Sequence, residues 1–73
     1  MTTRHLTAVI EREGDGYVSF CPELRIASQG DSVEEARANL QEALELFFET
    51  ASEDETQQRF SREVYVTHIK VTV

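Results

Sequence analysis

The stretch from Gly30 to Ala51, G-D-S-V-E-E-A-R-A-N-L-Q-E-A-L-E-L-F-F-E-T-A, constrains the fold more than any other part of the chain. Val33, Ala36, Leu40, Ala43, Leu44, Phe47 and Ala51 recur at the i, i+3, i+4, i+7 spacing that gathers apolar side chains on one face of a helix. A helix of this kind needs a second layer to cover. Ser32, followed three residues later by Glu35, writes a capping box at its start, and Asp31, Glu34 and Glu35 set negative charge at the positive end of the helix dipole. At the other end Glu49, Glu53, Asp54 and Glu55 collect where the dipole disfavours anions, so the helix is expected to stop near Ala51. Ser52 with Glu55 repeats the capping pattern and predicts a second, short helix over roughly Glu53 to Phe60.

The second layer is written before and after that helix. Thr3 to Glu13 alternates, with Leu6, Ala8 and Ile10 on one side and His5, Thr7, Val9 and Glu11 on the other, which reads as a strand. Gly14-Asp15-Gly16 supplies a hairpin turn, and Tyr17 to Cys21 resumes the extended pattern. Pro22 cannot donate to a ladder and ends that strand; a turn through Glu23-Leu24 leads to Arg25–Gly30, a third strand poor in large apolar residues and therefore suited to an edge. Glu63 to Val73, with six Val, Ile or Tyr among eleven residues, has the strongest β character in the chain. Its phase is ambiguous. Val64 and Val66 fall on one face and Tyr65, Ile69, Val71 and Val73 on the other, which implies a bulge near Thr67 or burial on both faces, the second face being covered by another subunit.

A helix of about 19 residues is roughly 28 Å long, close to the length of an eight-residue strand, so it returns the chain across the whole sheet. The expectation is one α+β domain over residues 1–73, β-β-β-α-β in two layers, with one long helix on a mixed four-stranded sheet. The weak third strand favours the order 3-2-1-4, with strand four parallel to strand one.

A chain of 73 residues buries only about 60% of the surface that its unfolded form exposes, so its core is thin and self-association is an attractive source of further burial. No apolar run approaches the roughly 18 residues that a membrane span needs, no secretory apolar segment follows M-T-T-R-H, and Cys21 is the lone cysteine; a cytoplasmic protein is expected, with no membrane partner. The net charge of −7 argues against direct nucleic-acid binding. Its distribution is uneven. Residues 31–55 hold nine acids against the single base Arg37, a net of −8, so the outer helix face is an acidic surface that would steer a basic protein partner.

The run from Gly16 to Leu46 resembles the HicB-like antitoxin family. The matching residues are Gly16, Tyr17, Pro22, Leu24, Gln29, Gly30, Asp31, Ser32, Glu34, Glu35, Ala36, Asn39, Leu40, Glu42, Ala43 and Leu46. The resemblance implies a fold similar to half of a ribonuclease-H-like domain, oligomers of dimer size or larger, and neutralisation of a small basic ribonuclease toxin of the HicA type. Two departures stand out. The small, glycine-containing segment that usually follows the Pro-Asp-Leu position is replaced here by Arg25-Ile26-Ala27-Ser28, and the chain ends at Val73, where many members carry a C-terminal DNA-binding domain. Operator binding by this chain alone is therefore not expected.

Chemistry is hard to build from the residues present. Glu11, Glu13 and Asp15 lie close together at the hairpin but are sufficiently explained as solvated turn residues, and the three Cys and His residues Cys21, His5 and His68 are too few for a structural zinc site. Neither an orienting third group for a Cys/His pair nor a glycine-rich phosphate loop is apparent. No catalytic, metal or cofactor site is expected. The candidates for partner contact are Asp15, Tyr17, Pro22, Glu23 and Asp31 in the loops, with Glu42, Glu45 and Glu49 on the helix. Leu46, Phe48, Val64 and Val66 are the candidates for an oligomer interface. The competing expectations are a small-molecule-binding or enzymatic domain with a pocket at the sheet–helix or subunit boundary, and an orphan domain without a toxin partner.

Overall fold

The computed structural model describes residues 3–73. Three strands, β1 (Val9–Glu13), β2 (Gly16–Cys21) and β3 (Ile26–Gly30), form an antiparallel sheet in the order β1-β2-β3. Two helices follow, α1 (Val33–Thr50) and α2 (Glu53–Phe60).

The β1–β2 connection is a two-residue turn, Gly14-Asp15, closed by the pair Glu13–Gly16. Gly14 takes φ 60° and Asp15 does not enter the left-handed region, the pattern of a type II′ turn whose twist matches the flanking strands. The pairs Ile10–Ser19 and Cys21–Ile26 place Ile10, Ser19, Cys21 and Ile26 on the face that α1 covers. Val9, Phe20 and Ala27 share the opposite face and stay exposed.

Helix α1 spans 18 residues and runs back along the sheet, packed chiefly on β3 and next on β2. Ser32 caps it, its hydroxyl accepting from the Glu35 N–H at 3.0 Å; Ser52 does the same for α2, accepting from the Glu55 N–H at 3.1 Å. The acids that disfavour continuation of α1 thus become the first turn of α2, where Glu53, Asp54 and Glu55 face the favourable end of a new dipole. Cys21, Leu24 and Leu40 are the buried centre, with Leu6, Ile26, Leu44, Phe47, Phe48 and Phe60 packed around them. Ser19, also fully buried, donates from its hydroxyl to the Ala36 carbonyl at 2.8 Å and so fastens β2 to the helix.

The expected mixed four-stranded sheet of order 3-2-1-4, and with it the half-ribonuclease-H-like outline, is overturned: the sheet has three antiparallel strands, and residues 63–73 pair with none of them. β propensity expresses the fit of a side chain to a pleated, half-buried surface and supplies no neighbour. Here α2 sets the path of the chain. Phe60 stacks on Phe48 with ring centroids 6.0 Å apart, and Arg59 donates to the Leu24 carbonyl, which brings the following residues to the end of the sheet at the β2–β3 turn. Val64 is half-buried there, and every residue after it is exposed. Neither a bulge at Thr67 nor burial on two faces is present.

Strand one is also shorter than the expected Thr3–Glu13. Its last ladder partner is Phe20, one residue before Cys21-Pro22, and beyond that point the Thr7 N–H is bonded by the Glu23 carboxylate instead of a strand. The expected edge position of strand three is observed, and β1 is the other edge.

Candidate partner-binding surface

At about 100° per residue, Glu34, Glu35, Glu42, Glu45 and Glu49 fall within roughly 100° of arc on α1. Ala36 and Leu40, which are buried, lie on the opposite side. All nine acids of residues 31–55 are exposed. The five acids of α1 therefore face one way, away from the sheet, because the apolar stripe fixes how the helix rolls onto its core.

The loop candidates separate into two corners. At the hairpin end, Tyr17 is half-buried and pairs with Gly30, and it lines a shallow depression together with Glu13, Gln29 and Asp31. Asp15 is exposed in the adjoining turn. The Arg12 guanidinium lies 5.9 Å from the Tyr17 ring centroid. This corner joins the acidic helix face through Asp31, the residue before the Ser32 cap.

The other corner, at the β2–β3 turn, holds Pro22 and Glu23, both half-buried. Glu23 is tied internally: its carboxylate accepts from the Thr7 N–H at 3.1 Å, the Thr7 hydroxyl at 2.6 Å and the Cys21 thiol at 3.4 Å. Burial pushes this carboxyl up, but the hydrogen bonds from Thr7, its own backbone and Cys21 outweigh burial and hold it below the ordinary glutamate value. Cys21 shifts the other way. Burial, followed by the bond to Glu23 and its charge, raises the thiol and keeps it protonated, whereas His5 and His68 are exposed. Among the described residues, no group of three or more His, Cys, Asp or Glu side chains stands close enough to hold a metal ion.

The last residue of this turn has the one positive-φ side chain among the described residues. Arg25 has φ 57°, and its N–H bonds to the Cys21 carbonyl at 2.7 Å. Glycine takes this conformation without strain, whereas here the turn is made with an arginine in the left-handed region.

Of the interface candidates, Leu46 and Val66 are exposed. Phe48 is half-buried against its own chain, edge-on to Phe47 at 5.3 Å, stacked on Phe60, and capped by the Arg4 guanidinium 5.4 Å from its centroid. Val64 lies beside Glu23 and Phe60. Several contacts that shape these corners have no sequence signal: Arg4 lies over Phe48 and Phe60, Arg59 lies over Phe47, and Thr7 and Glu23 meet across 16 positions. Ser19 had one, being a small polar residue two positions before Cys21 on the covered face of β2.

A UPF0150 protein of Helicobacter pylori is 45% identical over 51 residues, which cover 68% of this chain and 71% of that protein. The chain belongs to the UPF0150 family. Two UPF0150 proteins of Synechocystis sp. agree, one 47% identical over 51 residues and 71% of its length, the other 50% identical over 46 residues and 58% of its length. No family model matches the chain, and no solved structure gives a significant match. The names of the UPF0150 relatives state no activity, substrate or partner.

Proposed function

We propose that this UPF0150 protein is a HicB-like antitoxin-type module that binds a small basic ribonuclease toxin of the HicA type and neutralises it by covering it. The observation that carries the reading is the acidity of α1 and its flanks: five acids on the helix face opposite the core, within a run of nine exposed acids against Arg37 over residues 31–55. A face of one sign attracts a partner of the other and accelerates encounter. The Gly16–Leu46 resemblance gives that partner its class, and membership of UPF0150 is compatible with it. In this reading Glu42, Glu45 and Glu49 steer the toxin, while Asp31, Tyr17 and Asp15 extend the contact to the hairpin corner. Pro22 and Glu23 stand at the other end of the sheet.

The test is a titration at low salt against small, basic HicA-like proteins encoded in the same genome, starting with any adjacent reading frame. The expected result is a complex whose association slows as salt is raised. Changing Glu42, Glu45 and Glu49 together to lysine leaves the far-UV circular dichroism unchanged and slows association by on the order of 10- to 100-fold. Absence of any complex at low salt overturns the reading.

A further inference from the structure

We propose that residues 63–73 of one copy add as an antiparallel strand to the free edge of β1 in a second copy, which returns the same contact and closes a two-fold dimer. Among the described residues, β1 is paired on one side only, by β2. Its other side is a row of unpaired N–H and C=O groups, the kind of template that accepts an added strand. The same chain carries the complementary piece. Tyr65, Ile69 and Val71 are 80%, 82% and 70% exposed, a density of unburied β-branched and aromatic side chains that a small protein does not leave in water without use. The radius of gyration, 14.0 Å, exceeds the roughly 11 Å of a compact chain of this length, because this segment adds reach without adding core.

The register with Val71 beside Ile10 pairs the segment with β1 on both faces, with Ile69 falling beside the aliphatic stem of Arg12. Opposite residues of an antiparallel pair share a face. Setting Val71 beside Ile10 puts two apolar side chains on the helix-covered face and brings Val73 beside Ala8. The same register sets Lys70 beside Glu11 and His68 beside Glu13 on the open face. The pairing gives the two basic residues of the segment an acidic neighbour each.

The antiparallel register assigns the contact to a second copy. Val64 and Tyr65 lie beside Glu23, and Glu23 is bonded to Thr7, so the segment leaves the body at the end of the sheet where β1 begins. From there it reaches its own β1 edge running parallel. The antiparallel register requires entry from the Glu13 end, which the segment of another copy provides. Reciprocal exchange uses both edges and both segments once each, so the assembly closes at two.

The test uses the full chain alone, by light scattering after size exclusion over a wide concentration range, so its outcome is separate from that of the toxin titration. The parent is expected to be a dimer. Ile69→Pro with Val71→Lys removes a ladder donor and the apolar match without touching the packed body; it is expected to retain the far-UV spectrum and to raise the dimer dissociation constant at least about tenfold. Glu11→Lys weakens the dimer, and Lys70→Glu added to that variant restores it. A parent that is monomeric throughout, a segment variant that dimerises like the parent, or a charge-exchanged double variant no better than Glu11→Lys alone overturns the proposal. So does a monomer in which the amides of residues 65–73 are protected from hydrogen exchange.

Discussion

Gly30→Ala is expected to be the most damaging single-methyl change in the sheet. A Cβ at this position would lie 2.5 Å from the Ala36 nitrogen, 2.8 Å from the Glu35 carbonyl carbon and 2.9 Å from the Glu35 Cβ. Ordinary van der Waals separation is about 3.5–4.0 Å, so a gap of about 1 Å has to open between the end of β3 and the first turn of α1. Two of the colliding atoms are backbone, and no side chain can swing aside to relieve them. The same turn is held to the sheet by the Ser19 hydroxyl on the Ala36 carbonyl and by the Asn39 amide on the Gln29 carbonyl, both at 2.8 Å. Lifting the helix by about 1 Å breaks both, at about 1 kcal/mol each. Overpacking adds about 1–3 kcal/mol, and the stiffer unfolded chain offsets about 0.4–1 kcal/mol. The net loss is about 2–4 kcal/mol. A domain of this length is stable by roughly 4–11 kcal/mol, so the variant loses a large part of its margin and its Tm falls by about 10–25 °C. Urea unfolding followed by far-UV circular dichroism measures this, with unchanged slope showing that the denatured state is not the cause. Gly14→Ala is the internal comparison: it has open space around the added methyl but φ 60°, so its cost is that of a side chain in a sparsely populated positive-φ conformation alone, about 1–3 kcal/mol. A Gly30→Ala variant within about 0.5 kcal/mol of the parent, or milder than Gly14→Ala, refutes the argument from close approach.

Two other perturbations probe the β2–β3 corner. Arg25→Gly relieves a left-handed arginine and is expected to raise stability by up to about 1 kcal/mol after the entropy of glycine is subtracted, whereas Arg25→Val lowers it; equal denaturation midpoints for the two variants would count against strain at this position. The Glu23 carboxyl is held below its ordinary value in the fold, so its ionised form contributes stability above the unfolded glutamate pKa of about 4.3, and that contribution is lost as pH falls through the lowered folded value. Glu23→Gln is therefore expected to be less stable than the parent at pH 7 by about 1 kcal/mol and to close that difference on acidification, as read from urea midpoints at pH 7 and pH 3. A difference that stays constant with pH would show that the carboxylate charge is not what Thr7 and Cys21 hold.

Elements whose signals are local were legible in the order of the amino acids. Ser32 and Ser52 mark the helix starts because a hydroxyl and an N–H three residues later are in reach of each other in any chain that turns there, and both bonds form. The stripe from Ala36 to Ala51 fixed which face of α1 is buried and so which face is acidic, although Val33 at its start stays exposed, and Gly14-Asp15-Gly16 fixed the hairpin. The fate of Glu63–Val73 was not legible. Its β character was plain, but a strand exists only where another strand meets it, and that depends on where α2 sets the chain down. That placement rests on contacts between residues far apart in sequence, such as Arg59 with the Leu24 carbonyl across 35 positions, Arg4 over the stacked Phe48 and Phe60, and Thr7 on Glu23. It was likewise the tertiary structure that seated Phe48 against Phe60, drew Glu23 into a knot with Cys21, and put Arg25 where glycine is at ease. Periodicity and capping are properties of neighbouring residues and survive in the bare sequence; edges, partners and the occupancy of a carboxylate belong to pairs that only the folded chain brings together.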